Sequence, residues 1–413
     1  MSDTPRNLKA MLSEAKDASE LMVDLGYAAL FFADANMAEE VQELEERLNG
    51  LVHEMREVCV LAARSPHDAE QMSSVLHVVA AIERMGNAAV GVSRIVTHRL
   101  GIPAALVADL AQAEEVSHRV RVREESGLAG RSLAAVELPV SVGMRVMAIR
   151  RGKEWIIDPD GDETLLPDDV LIVRGPPAGI AELRVLSGAP EWRPPTVEED
   201  PAITDLDRAV DVLVEMKNLS EVAVGIAYSA LLLNDQSLAA EVNHLEDRLD
   251  EMRERLEVWV LRAAAERLDP SPLRGLLHLG AAAEELGDSA QQMVWLVERG
   301  EVMHPVLAMA LGDSDEVIAR VPVAPGSALD GRTLRRTELE LETGYYLLAI
   351  RRAGRYLYRP RGAVRLEAGD ELIAIGPDEG HARLAELGGY TLLEDDATGE
   401  IELQPAGDHA AHG

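Results

Sequence analysis

Lysine is almost missing from this chain of 413 residues: only Lys9, Lys16, Lys153 and Lys217 occur among 40 basic residues. Against those 40 stand 73 acidic residues, for a net charge of −33. Such a chain repels polyanions at long range, so nucleic acid and anionic lipid surfaces are excluded as expected partners. Carboxylates with little lysine suit a protein held soluble in a salt-rich, halophilic cytosol, where repulsion is screened within ~3 Å at 1 M salt. An arginine-preferring genome gives the same balance.

Cysteine is scarcer still. Cys59 stands alone, which excludes an internal disulfide framework or a thiolate metal cluster and fits a reducing compartment. Aromatic residues make up 3%. No apolar run reaches the ~18 residues of a membrane helix, and the opening MSDTPRNLKAMLSEAKD lacks a basic start followed by an apolar core. The expectation is a cytoplasmic protein.

What the chain does have is repetition. Sliding it along itself by 201 positions aligns SELMVDLGYAALFFAD at Ser19 with SEVAVGIAYSALLLND at Ser220, and VQELEERL at Val41 with VNHLEDRL at Val242. The same shift aligns GRSL with GRTL and one AIRR, at Ala148, with another at Ala349. The chain is a tandem duplication. Its seam is the proline- and acid-rich linker 189–204.

Each half then divides by apolar period. Leu8, Met11, Leu12, Ala15, Leu21, Met22, Leu25 and Ala29 follow the three-and-four spacing of a helix face. Two more helices follow, and short connections such as ADANM make them neighbours in an antiparallel up-down bundle. After Val116 the period falls to two: VSHRVRV, MRVMAIRR, EWIIDP and DDVLIVRG read as strands, with short helices at RSLAAVEL and IAELRVLSG. The fold class is therefore multidomain α+β, with helical bundles alternating with small α+β modules. Expected boundaries are helical domains at 8–100 and 205–302, α+β domains at 114–188 and 315–389, and a disordered acidic tail over 394–413.

The helical halves, with IERMGNAA at Ile82 and AEELGDSA at Ala283, resemble PhoU domains. The α+β halves, with GRSL or GRTL, GMRVMAIRRG or GYYLLAIRRAG, and LLPDDVLIVRGP or LEAGDELIAIGP, resemble the C-terminal domain of TrkA-type potassium-transport regulators, RCK_C. The order is similar to a prokaryotic, largely archaeal group. It implies a cytosolic regulatory subunit that senses a small ligand or ion through its TrkA-C modules and modulates a potassium or other cation channel or transporter, its membrane partner. A phosphate-signalling regulator and a ligand-free structural adaptor are the alternatives.

PhoU resemblance implies a divalent-metal site on Glu-x-x-x-Asp, since residues four apart share a helix face. Glu284 and Asp288 keep that pair, whereas Glu83 is followed by Asn87. A solvated role is the alternative, because carboxylates are so frequent here. His53, His77, His244 and His278 form no i, i+4 ligand pair.

TrkA-C resemblance implies dimerisation, here an internal pseudo-dimer of the halves or a homodimer, and a nucleotide such as cyclic di-AMP between modules. Where relatives carry a phosphate-binding arginine, this chain has Pro139 and Glu340. The candidate ligand-binding set is completed by Arg145, Val146, Arg150, Pro159, Leu347, Arg351 and Pro360, with a surface ion-pairing role as the alternative for the arginines. No phosphate-loop, nucleophile-elbow or zinc-protease motif occurs, so an enzyme is not expected.

Overall fold

The computed structural model describes residues 7–110, 115–192, 204–265, 269–301, 303–312, 314, 316–394 and 401–406. The first half runs α1 (Leu8–Phe32), α2 (Ala35–Ala62), α3 (Pro66–Thr97), α4 (Ala104–Leu110), β1 (Val116–Arg121), α5 (Leu133–Val136), α6 (Leu138–Val142), β2 (Arg145–Arg151), β3 (Glu154–Ile157), β4 (Val170–Gly175) and α7 (Gly179–Leu186). The second half repeats it as α8 (Asp205–Leu233), α9 (Gln236–Ala265), α10 (Arg274–Glu298), α11 (Val306–Leu311), β5 (Glu316–Pro322), α12 (Leu334–Thr337), α13 (Leu339–Thr343), β6 (Tyr346–Arg352), β7 (Arg355–Tyr358), β8 (Glu371–Pro377) and α14 (His381–Gly388). It then adds β9 (Tyr390–Glu394) and β10 (Ile401–Pro405).

Local chemistry sets these boundaries. The Asn7 side chain accepts from the Ala10 amide at 2.8 Å and starts α1, which stops where Ala33 turns left-handed at φ 50°. Asp34 then caps α2 through the Asn36 and Met37 amides. The second half repeats the device with Asn234 at φ 47° and Asp235 capping the amides of Ser237 and Leu238. Ser65 caps α3 with Pro66 as its first residue. At α8, Thr204 and Asp207 form a reciprocal capping box.

The halves do not fold as separate bodies. Contacts divide the chain into a helical unit, drawn from residues 1–117 and 193–314, and an α+β unit, drawn from 118–192 and 315–413. Like packs with like. In the helical unit α1, α2 and α3 pack together, α8, α9 and α10 do the same, and α3 lies along α10. By length and composition α3 could cross a membrane, contrary to the sequence expectation, but most of its apolar window is buried within this bundle.

Each α+β module carries a four-stranded antiparallel sheet, ordered β1-β4-β2-β3 and β5-β8-β6-β7. A register shift falls at the equivalent place in both, between Val146 and Ala148 and between Leu347 and Ala349. The two modules pair through α6 and α13.

One expectation is corrected. Residues 394–413 do not form a wholly disordered tail: β10 pairs with β9 in register from Ile401 opposite Glu394 to Pro405 opposite Tyr390. Tyr390 and Leu392 of β9 and Leu403 of β10 are half-buried, and Leu403 packs on the second module's core. The rest of the tail, 395–400 and 407–413, and linker residues 193–203 lie outside the described residues.

Candidate functional site

The candidate site is the seam between the two α+β modules. Each side begins with a glutamate in the left-handed region, Glu137 or Glu338, runs through a single turn of helix, and ends at Gly143 (φ 67°) or Gly344 (φ 73°). A Cβ on Gly143 would stand 3.0 Å from the Glu340 carbonyl oxygen, and one on Gly344 would stand 2.9 Å from that of Pro139. The two modules thus exchange the same backbone approach. Both the positive φ and the missing Cβ require glycine.

Beyond the glycines the symmetry is broken by chemistry. Arg145, at the start of β2, reaches across to Glu316 of the second module at 3.1 Å and back to Asp158 at 3.6 Å. Tyr346 and Arg359 stand at the corresponding places, with the guanidinium 5.7 Å from the ring centroid. The cation has moved from strand to turn. Behind the seam, Met144 and Ile180 of the first module correspond to Tyr345 and His381 of the second, whose rings lie 5.9 Å apart. The Tyr345 hydroxyl and His381 Nδ1 have no hydrogen-bond partner among the described residues. Burial, with Asp378, Glu379 and Glu316 adding to it, drives the Tyr345 phenol pKa well above its ordinary value. Burial holds His381 below its ordinary value, against the pull of Asp378.

Of the nine residues expected to bind a ligand, the structure brings Pro139, Glu340 and Arg145 to the seam. Val146 and Leu347 are buried in the strands behind it, and Pro159 and Pro360 follow the left-handed residues Asp158 and Arg359. Arg150 and Arg351 lie five residues further along β2 and β6, roughly 16 Å away at strand rise. There they face the β3 and β7 edge: Arg150 stacks on Trp155 and Arg351 on Tyr356. Arg145 is already engaged by Glu316 and Asp158, and the negative charge of Asp378, Glu379 and Glu316 reaches Tyr345, so the charges at the seam oppose a doubly anionic nucleotide.

The second arginine of each AIRR is structural. Arg151 clasps Asp169 through two bonds of 3.0 and 2.9 Å, and Arg352 clasps Asp370 through two of 2.6 Å. Each aspartate is 1% exposed and also accepts a backbone amide, from Leu166 or Glu367.

In the helical unit the carboxylates expected to hold a metal are separated by arginines. Arg56 pairs with Glu83 and Arg253 with Glu284. Arg84 of α3 crosses to α10, binding Glu285 at 2.7 Å, Asp288 at 2.9 Å and Gln292 at 3.1 Å. Among the described residues no group of three or more His, Cys, Asp or Glu could hold a metal ion. The arrangement does not fit a divalent metal. Arg84 was not legible as a partner, because its acceptors lie about 200 residues away.

Family comparison bears on these two units directly. The PhoU domain model matches residues 12–96 and 213–296, and the TrkA-C domain model matches 118–188 and 318–388. The chain is a duplicated PhoU and TrkA-C domain protein. The tandem PhoU/TrkA-C chain is 35% identical over 82 residues to Ktr system potassium uptake protein C of Bacillus subtilis, a match spanning 19% of this chain and 37% of that protein. Among solved structures it is similar to PhoU from Pseudomonas aeruginosa, at 16% identity and TM-score 0.39, over 71% of this chain and 96% of that one. It is also similar to the GsuK RCK domain, at 17% identity and TM-score 0.18, over 67% and 64%. At such scores the structural likenesses carry no argument here.

Proposed function

We propose that this tandem PhoU/TrkA-C protein is a non-enzymatic, cytoplasmic regulator of potassium transport, in which the paired TrkA-C modules sense a small ligand and the PhoU unit relays the change to a membrane channel or transporter subunit. The observation that carries the reading is the reciprocal seam, where Gly143 meets Glu340 and Gly344 meets Pro139. One chain thereby supplies both halves of a paired module that, in a single-copy protein, would require two chains. The likeness to a potassium uptake protein supports the choice of ion.

The mechanism follows from linkage. A ligand that prefers one arrangement of the two modules shifts the population by its differential affinity, and only by that amount. The two sides of the seam differ in charge placement, Arg145 and Asp158 on one side and Tyr346 and Arg359 on the other, so a ligand at the seam meets two unlike surfaces.

The test is rubidium uptake in cells lacking the chain, compared with cells carrying it at matched transporter level. A change in uptake at constant transporter abundance supports the reading. Unchanged rubidium uptake together with altered phosphate uptake would instead establish the phosphate-signalling alternative, and no effect on either flux would leave a structural adaptor.

A further inference from the structure

The duplication allows one module to be read against the other, residue by residue at the 201-position offset. On one face of the second sheet, Glu371 of β8 lies directly opposite Arg351 of β6, which lies opposite Tyr356 of β7. Arg320 of β5 closes the row. Its guanidinium holds the Glu371 carboxylate at 2.7 and 2.8 Å, and Arg351 adds a third contact at 3.2 Å. Burial would raise the Glu371 carboxyl pKa, but the two guanidinia overcome it and hold it below the usual range.

The first module keeps this row except for its centre. Arg119 stands where Arg320 does, Arg150 where Arg351 does and Trp155 where Tyr356 does, but Val170 replaces Glu371. Registers agree: Arg150 is opposite Val170 on one side and Trp155 on the other. Residues directly opposite one another share a face of the sheet. Arg150 makes a ring contact with Trp155 at 5.8 Å and has no carboxylate partner among the described residues, in a chain where acids outnumber bases by 73 to 40. Arg119 is exposed, and Val170, Arg150 and Trp155 are partly so.

We propose that this face of the first sheet, at Arg119, Val170, Arg150 and Trp155, binds a small carboxylate or phosphate anion in the position that the Glu371 side chain fills in the second module. Glu371 is then a built-in stand-in for the ligand, and its three contacts show which groups receive an oxyanion there. Val170 is the change that opens the position, because an isopropyl group supplies the space without the charge. Trp155 widens the platform beyond Tyr356, so an anion attached to a flat ring gains contact area on the indole. The chain's negative charge opposes the approach of any anion, but at high salt that repulsion is confined to a few ångströms and the local guanidinia decide.

Isothermal titration of the full chain with pyrophosphate, adenosine monophosphate and glutamate, each separately, tests the site and sorts the phosphate source from the carboxylate source. The expected result is one anion bound per chain, weakened at least about tenfold by Val170→Glu, which restores the internal carboxylate, and by Arg150→Gln, a surface change that leaves the fold intact. Glu371→Val is expected to open the second row and raise the stoichiometry to two. No binding of any of the three anions to the wild-type chain would overturn the proposal, as would affinity unaltered by both Val170→Glu and Arg150→Gln. The titration reads neither ion flux nor module pairing, so its failure leaves the transport reading standing, and the reverse holds as well.

Discussion

The Lys16 ammonium lies 5.4 Å from the centre of the Tyr228 ring, and 201 positions later the Lys217 ammonium lies 5.1 Å from the ring of Tyr27. Two of the chain's four lysines are thus spent on one reciprocal contact between α1 and α8. Each is buried and paired one turn along its own helix, Lys16 with Glu20 at 2.7 Å and Lys217 with Glu221 at 2.8 Å. A compact ammonium over an aromatic face is directional, so the pair fixes which surfaces of the two halves meet.

Lys16→Met removes the ammonium that pairs at 2.7 Å with the Glu20 carboxylate, which is 17% exposed. Loss of about 3 kcal/mol is expected by urea denaturation followed through the helical signal, with most of it recovered in the double variant Lys16→Met, Glu20→Leu. Equal instability of single and double variants would show that the ammonium acts through packing alone.

The seam predicts a penalty for bulk at its glycines. Gly344→Val forces a branched side chain into φ 73° and against the Pro139 carbonyl. Hydrogen exchange is expected to quicken in α6 and α13 together, although only one of them is altered, because each is protected by the other. Faster exchange confined to α13 would contradict the pairing.

A pH effect is expected from His118. It is buried, receives the Arg184 guanidinium at 3.1 Å on Nε2 and touches the Trp192 ring edge-on. Burial first, and the Arg184 charge second, push its pKa from 6.5 down to about 4. The unfolded chain therefore binds the proton more readily than the folded one. Stability from this group is complete above pH 6.5 and is lost as pH falls toward 4, by about 3 kcal/mol in all. His118→Asn should flatten the difference in urea midpoint between pH 7 and pH 5; an unchanged difference would assign the slope to carboxylates.

Because Glu83, Glu284 and Asp288 are each tied to an arginine, manganese added to the chelator-treated protein is expected to leave the thermal midpoint within about 1 °C. A rise of several degrees, lost in Glu284→Ala, would mean that the arginines yield to the metal.

Much of this was legible in the sequence. The duplication came from repeated phrases, the three long helices of each half and the period-two strand segments from apolar spacing, and both domain resemblances from motifs such as AEELGDSA and GMRVMAIRRG. The pairing of the TrkA-C modules was implied by the resemblance alone, as an internal pseudo-dimer or a homodimer, and the packing of α3 along α10 was not foreseen, because apolar periodicity says that a face is buried and not what buries it. A clue was present: Lys16 and Lys217 stand at the repeat offset beside otherwise apolar positions, as do Tyr27 and Tyr228. The β10 strand was hidden by its acidic surroundings, which masked the alternation of Ile401 and Leu403. At the candidate site, Arg145 was found through its motif, while Glu316 and Arg84 were missed because ion pairs between residues far apart in sequence leave no local pattern.

The central claim is that the two TrkA-C modules act as one paired element in potassium transport. Rubidium uptake measured in cells carrying either the wild-type chain or Gly344→Val, at equal abundance of chain and transporter, tests it most directly. The account predicts that the wild-type chain alters uptake and that the unpaired variant loses this effect while its PhoU unit stays folded. Full regulation by Gly344→Val, with exchange data showing the seam open, would contradict it.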